Sequence, residues 1–129
     1  MPNLSEFSFK IEDHPGALAS ATEILGKAGI NIDGCVAIRC EGKGIVHVVT
    51  NNSQLTASAL KAANIKYETQ DVLEVKLNDK PGEIAKLARS FGDAKINITT
   101  LYITMRQTIV LGFDDVDGAK KVLQKLANS

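Results

Sequence analysis

The chain has 129 residues, 44% of them hydrophobic and 23% charged, which describes a globular protein able to bury a core and excludes fibrous and disordered classes. Fifteen Lys and Arg balance fifteen Asp and Glu, and the balance holds in each half, six against six through Lys66 and nine against nine beyond it, so no basic stripe exists for nucleic acid. The longest apolar runs, such as Ile45 to Val49, are far too short for a membrane span, and Met1-Pro2-Asn3 does not open like a signal peptide, so no membrane partner and a cytoplasmic location are expected.

Taken in order, Phe7 to Glu12 alternates apolar and polar residues, the mark of a half-buried strand, and ends at Asp13-His14-Pro15-Gly16. From Gly16 to Ala28, Leu18, Ala21, Leu25 and Ala28 recur at helical spacing, and Gly29 stands where a helix closes in the left-handed conformation. Ile30 to Cys40 and Ile45 to Thr50 read as a hairpin around Glu41-Gly42-Lys43-Gly44. Asn51, Asn52 and Ser53 offer caps for a helix to about Ala63, and Ile65 to Thr69 is predicted as a fourth strand, giving βαββαβ.

The same pattern then recurs. Asp13 to Ile32 and Asp79 to Ile98 match at nine of twenty positions with a constant offset of 66, so the chain is a tandem duplication, divided as 1–70 and 71–129. The second copy predicts a strand Val72 to Leu77 and a helix Gly82 to Ala94 with Ile84, Leu87, Phe91 and Ala94 inward. Strands Ile96 to Thr104 and Thr108 to Phe113 and a helix Asp115 to Ala127 follow. No residues follow for its last strand, so Val72 to Leu77 would keep an open edge. Either the segment Ile65 to Leu77 passes between the repeats or a second protomer pairs with that edge. Lys95 replaces Gly29, at a cost of about 1 kcal/mol if both positions are left-handed.

Cys35 and Cys40, five residues apart in an extended segment, cannot form a disulfide and are read as structural. His14 and His47 are the only histidines, and neither has further ligands for a metal; no cofactor is expected. His47 interrupts an apolar strand opposite a leucine, Leu111, in the second copy and is read as a satisfied, partly buried residue rather than a pH sensor.

The repeated strand, Asp-x-Pro-Gly, helix, Asn-Ile strand resembles the ACT domain, the regulatory module that binds amino acids beside many amino-acid biosynthetic enzymes. The resemblance covers nearly the whole chain, twice. It implies an α+β fold of two ferredoxin-like βαββαβ repeats, the second lacking its last strand, with antiparallel sheets joined side by side and ligands in the seam. It also implies a homodimer and a possible amino-acid biosynthetic enzyme as partner.

Elementary chemistry points to the same loops. A free amino acid carries a carboxylate beside an ammonium, and a helix N-terminus offers unpaired N–H groups and partial positive charge for the carboxylate. The candidates are Gly16, Ala17 and Leu18 in the first copy and Gly82, Glu83 and Ile84 in the second. Asp13, Asp79, Asn31 and Asn97 would accept from the ammonium, with Ile32 and Ile98 beside the asparagines and His14 on the loop rim. The plainer reading stands beside this: each aspartate caps its helix, and each asparagine only stabilises a helix-to-strand turn. Gly29 and Gly34, where the second copy has Lys95 and Thr100, favour the first repeat as the better site. A regulator that binds a small amino acid or related metabolite is expected, without catalysis, since no nucleophile has a paired base and no phosphate loop is present. An assembly module for a partner enzyme, without its own ligand, is the alternative.

Overall fold

The computed structural model describes residues 4–128, in the order β1 (Leu4–Glu12), α1 (Ala17–Lys27), β2 (Ile32–Cys40), β3 (Lys43–Thr50), α2 (Ser53–Ala62), β4 (Glu68–Lys76), α3 (Glu83–Asp93), β5 (Ile98–Ile103), β6 (Thr108–Phe113) and α4 (Val116–Ala127). This is an α+β fold of two ferredoxin-like repeats. Among the described residues no strand follows α4.

The chain divides into two compact units, Ser5–Gln70 and a second comprising Leu4 with the residues from Asp71 onward. The division falls inside β4. The sequence suggested two strands here, Ile65 to Thr69 and Val72 to Leu77; the backbone instead runs one continuous strand, Glu68–Lys76, that ends the first repeat and begins the second. The N-terminal end of β1 likewise contributes Leu4 to the second unit.

In the first unit β3 lies between β2 and β1, with Phe7 opposite Val48 and Val48 opposite Cys35. Alternation places Phe7, Phe9, Val46 and Val48 on one face, where they meet Ala21 and Leu25 of α1 and Leu60 of α2 in a single core. Asn52 caps α2, its Oδ1 accepting from the Leu55 N–H at 3.0 Å. The second unit repeats this with β6 between β5 and β4. There Leu87 and Phe91 of α3 and Ala119 and Leu123 of α4 close over Leu73, Val75, Ile109, Leu111 and Phe113. The Phe91 and Phe113 rings meet with centroids 4.7 Å apart.

Three sequence expectations change. Leu18 and Ile84 are both 42% exposed, because each sits in the first helical turn, ahead of the buried Ala21–Leu25 and Leu87–Phe91 stripes. The strand registers, Phe7 opposite Val48 and Leu73 opposite Leu111, align Val48 with Leu111, so His47 corresponds to Val110 and not to Leu111. Cys35 and Cys40 are free thiols on exposed residues rather than core cysteines, and local burial pushes the Cys35 thiol up.

Gly29 and Lys95 follow the C-caps of α1 and α3 and both adopt the left-handed conformation, with φ of 76° and 61°. Only glycine does so without a Cβ penalty. Lys95→Gly is therefore expected to stabilise the protein by about 1 kcal/mol, raising Tm by a few degrees in a thermal melt. An unchanged or lowered Tm would contradict the conformational cost assigned to Lys95.

Candidate functional site

In both repeats the strand-to-helix loop ends in a glycine with φ of 87°, Gly16 before α1 and Gly82 before α3. This left-handed turn favours a residue without a Cβ. Neither helix receives a side-chain cap. Asp13 and Asp79 thus do not do what an N-terminal aspartate ordinarily does. Within the loops, the Ala17 N–H donates to the His14 carbonyl at 3.2 Å and the Glu83 N–H to that of Lys80 at 3.3 Å. The remaining amides of the opening turns keep the anion-attracting character of a helix N-terminus.

The two loops differ in their surroundings. Asp13 is ion-paired with Arg39 from the end of β2, Nε to Oδ2 at 3.0 Å. Next to it, Lys43 Nζ donates to both oxygens of Glu12, at 2.8 and 2.9 Å. The hydrogen bond from Lys43, then its charge, with a smaller contribution from His14, holds the Glu12 carboxyl below the ordinary range. His14 Nδ1 lies 3.0 Å from the Pro15 carbonyl oxygen, to which it donates in the Nδ1–H tautomer. The first-repeat carboxylates are therefore already matched by cations.

At the second loop Met105 stands where Arg39 stands in the first copy, so Asp79 lacks that guanidinium. A cavity of about 270 Å³ opens there, lined by Asp79, Lys80, Glu83 and Ile84 from the loop and α3 and by Ile103 and Gln107 from the β5–β6 hairpin, among others. The hairpin residues that wall this cavity, Ile103 and Gln107, are adjacent to the loop only in the folded unit.

Asn31 and Asn97 lie elsewhere. A strand, its loop and the returning helix put the start of the next strand at the opposite end of the unit, one helix length away, about 16 Å for 11 residues. The Asp13–Arg39 pair places the loop beside the end of β2, whereas Asn31, just before β2 begins, bonds to Asn51 after the end of β3. The Asn31 N–H donates to Asn51 Oδ1 at 3.0 Å, and its side-chain amide donates to Asp33 Oδ1 at 2.7 Å. Asn97 is held the same way, its N–H donating to Asp114 Oδ1 at 3.0 Å. Within one repeat, then, Asp13, His14, Gly16, Ala17 and Leu18 are not brought together with Asn31 and Ile32. Nor are Asp79, Gly82, Glu83 and Ile84 with Asn97 and Ile98. The asparagines occupy the helix-to-strand turn, where their backbone groups are braced.

Among the described residues no group of three or more His, Cys, Asp or Glu is placed to hold a metal ion, and no helix is long and apolar enough to cross a membrane.

The model of the ACT domain pair matches residues 3–127. No curated protein matches the sequence. A crystal structure of a protein from Bacteroides thetaiotaomicron superposes with a TM-score of 0.89 at 21% identity, over 97% of this chain and 89% of that one. The ligand-free regulatory subunit of aspartate kinase from Thermus thermophilus gives 0.70 at 18% identity, over 98% and 91%. Aspartokinase III of E. coli, in complex with lysine and aspartate, gives 0.58 at 17% identity, over 98% of this chain and 31% of that one. At these identities the likeness is one of fold.

Two outcomes test the local assignments. Asn51→Ala is expected to cost about 1 kcal/mol by removing the brace on Asn31, while Asp79→Ala changes stability by less than about 0.5 kcal/mol, as a residue that caps nothing should; denaturant melts compare them. Because the folded Glu12 carboxyl lies below its unfolded value, its contact with Lys43 contributes stability above the unfolded value and loses it as pH falls through the folded one. Carboxyl NMR titration should find Glu12 low, and returned towards the ordinary value in Lys43→Ala.

Proposed function

The chain belongs to the ACT domain pair family, and on that premise we propose that it is a regulatory protein that binds a free amino acid or a related small zwitterion and modulates an enzyme of amino-acid metabolism. The observation that carries this reading is the second-repeat cavity at the uncapped entrance of α3. Its parts match the ligand: opening-turn amides for the carboxylate, Asp79 and Glu83 for the ammonium, and Leu77, Ile84, Ile103 and Ile109 for an apolar side chain. Its volume, about 270 Å³, lies just under the range typical of drug-sized ligands and suits a single amino acid.

The first-repeat loop has the same backbone but a different electrostatic setting. Arg39 competes with any ammonium for Asp13, so we assign the working loop site to Asp79, Gly82, Glu83 and Ile84. Regulation needs the ligand to favour one conformation or one assembly over another. The kinship in fold with regulatory subunits of aspartate kinase makes a separate enzyme the natural recipient, and no catalytic role is part of this reading.

A second reading has its own support. Ile103 and Met105 are 63% and 83% exposed, apolar residues that a second copy or a partner enzyme would cover. In an assembly module these side chains matter and the cavity does not.

Thermal unfolding against the twenty amino acids at about 1 mM separates the two. A ligand with a Kd near 10 μM adds about 2.7 kcal/mol and raises Tm by several degrees. One stereospecific hit that disappears in Asp79→Ala/Glu83→Ala supports the regulator. A hit that survives this double variant moves the site elsewhere. A flat panel, with a dimer by light scattering that Met105→Lys dissociates, supports the assembly module.

A further inference from the structure

The first unit contains a polar cluster around the buried Glu6, with a half-buried His47 and an exposed Gln70, that the loop sites do not use. Glu6 on β1 is 1% exposed, and its Oε1 accepts two hydrogen bonds, from His47 Nδ1 at 2.9 Å and from Gln70 Nε2 at 2.8 Å. In the Nδ1–H tautomer His47 donates to the Glu6 carboxylate, which leaves Nε2 for the groove that its side chain lines. In the β1–β3 register Ser8 is directly opposite His47, and Glu6 is the diagonal neighbour.

The duplication provides an internal comparison. The registers align Glu6 with Val72 and His47 with Val110, both fully buried. The same strand frame therefore closes in the second unit with a pair of valines. A buried carboxylate with a charged or polar partner pays a desolvation penalty that its attraction rarely exceeds, and apolar replacements are often as stable or more so. Packing alone gives no reason for Glu6 and His47 to stand where two valines suffice.

The groove beside them supplies one. It measures about 800 Å³ and is lined by Ser8, Lys10, Ile45 and His47 from the sheet and by Lys66 and Glu68, among others, from the segment after α2. Lys10 and Lys66 bring two ammonium groups against the single carboxylate of Glu68, while Gln70 helps to fix the Glu6 oxygen that orients the histidine. We propose that this groove is a second ligand site, taking a small molecule with a carboxylate or phosphate group that Lys10, Lys66 and His47 Nε2 grip together. With a proton on both nitrogens the imidazole is a cation pinned by Glu6 and donates to the anion. Glu68 is left to meet an ammonium or hydroxyl of the same molecule. The site is separate from the Asp79 loop and stands or falls independently of it.

Proton NMR tests this through the two histidine ring resonances, with inorganic phosphate and succinate added separately at constant pH and ionic strength. The His47 resonance is expected to move saturably with at least one anion while that of His14 stays, and the anion that saturates at lower concentration identifies the class. Lys10→Gln/Lys66→Gln should weaken binding by about tenfold or more, as loss of charge-assisted contacts does. In Glu6→Val/His47→Val, which installs the second unit's own pair, calorimetry should find no anion binding while Tm is maintained or raised. Both histidines moving together without saturation, no response to either anion, or full affinity in the lysine double variant would overturn the proposal. If Glu6→Val/His47→Val does not fold, the pair is structural and the proposal also falls.

Discussion

In each repeat the apolar face of an antiparallel sheet is closed by two helices, through Leu25 and Leu60 in one unit and Leu87, Phe91 and Leu123 in the other. Every other feature depends on this burial. At about 25 cal/mol per Å² of apolar surface it dominates the favourable side of folding, and it locks each strand in register, since a slip by one residue would turn Phe7, Phe9, Val46 and Val48 out to solvent. With the strands and helices held, chain direction alone decides which loops meet. The Asp-x-Pro-Gly loop lands beside the hairpin between the middle strands, and the asparagine turn lands at the far end.

That geometry gives one repeated motif different surroundings in each copy. The backbone of the two loops is nearly identical, with the same glycine φ of 87° and the same absence of a side-chain cap. What differs comes from the neighbouring hairpin and strands: Arg39 neutralises Asp13, while Ile103 and Gln107 wall a cavity beside Asp79. Likewise, one strand frame holds a buried Glu6 bonded to a half-buried His47 in one unit and two buried valines in the other. The positions that face the helices stay apolar in both copies, while the opposite sheet face and the loop surroundings differ. At Lys95 the left-handed turn persists without the glycine that suits it.

Most of the fold was legible because its signals are local. The period-two runs, the helical spacing around Leu25 and Phe91, and the caps at Asn52 and Asp115 depend on residues within a few positions of one another. The stretch from Ile65 to Leu77 was open to reading as two strands or as one segment passing between the repeats, and the structure runs a single strand, Glu68–Lys76, through the polar Gln70 and Asp71. Within a strand shared by two units, polarity reflects which face is covered and not whether the strand ends. The inward assignment of Leu18 and Ile84 failed for a related reason: helical period says which side a residue is on, but not whether the sheet extends far enough to cover it.

The candidate site divides along the same line. Sequence alone determined the duplication, the α+β class, the two loops and their glycines, since repetition and backbone conformation are written in residue type and spacing. Tertiary structure decided that Asn31 and Asn97 stand a helix length from the loops, that Asp13 meets Arg39 while Asp79 borders a cavity, and that His47 answers Glu6 from 41 residues away. These are pairings between segments distant in the chain. Their partners are set by strand register and chain direction in the folded unit, and no local pattern encodes them.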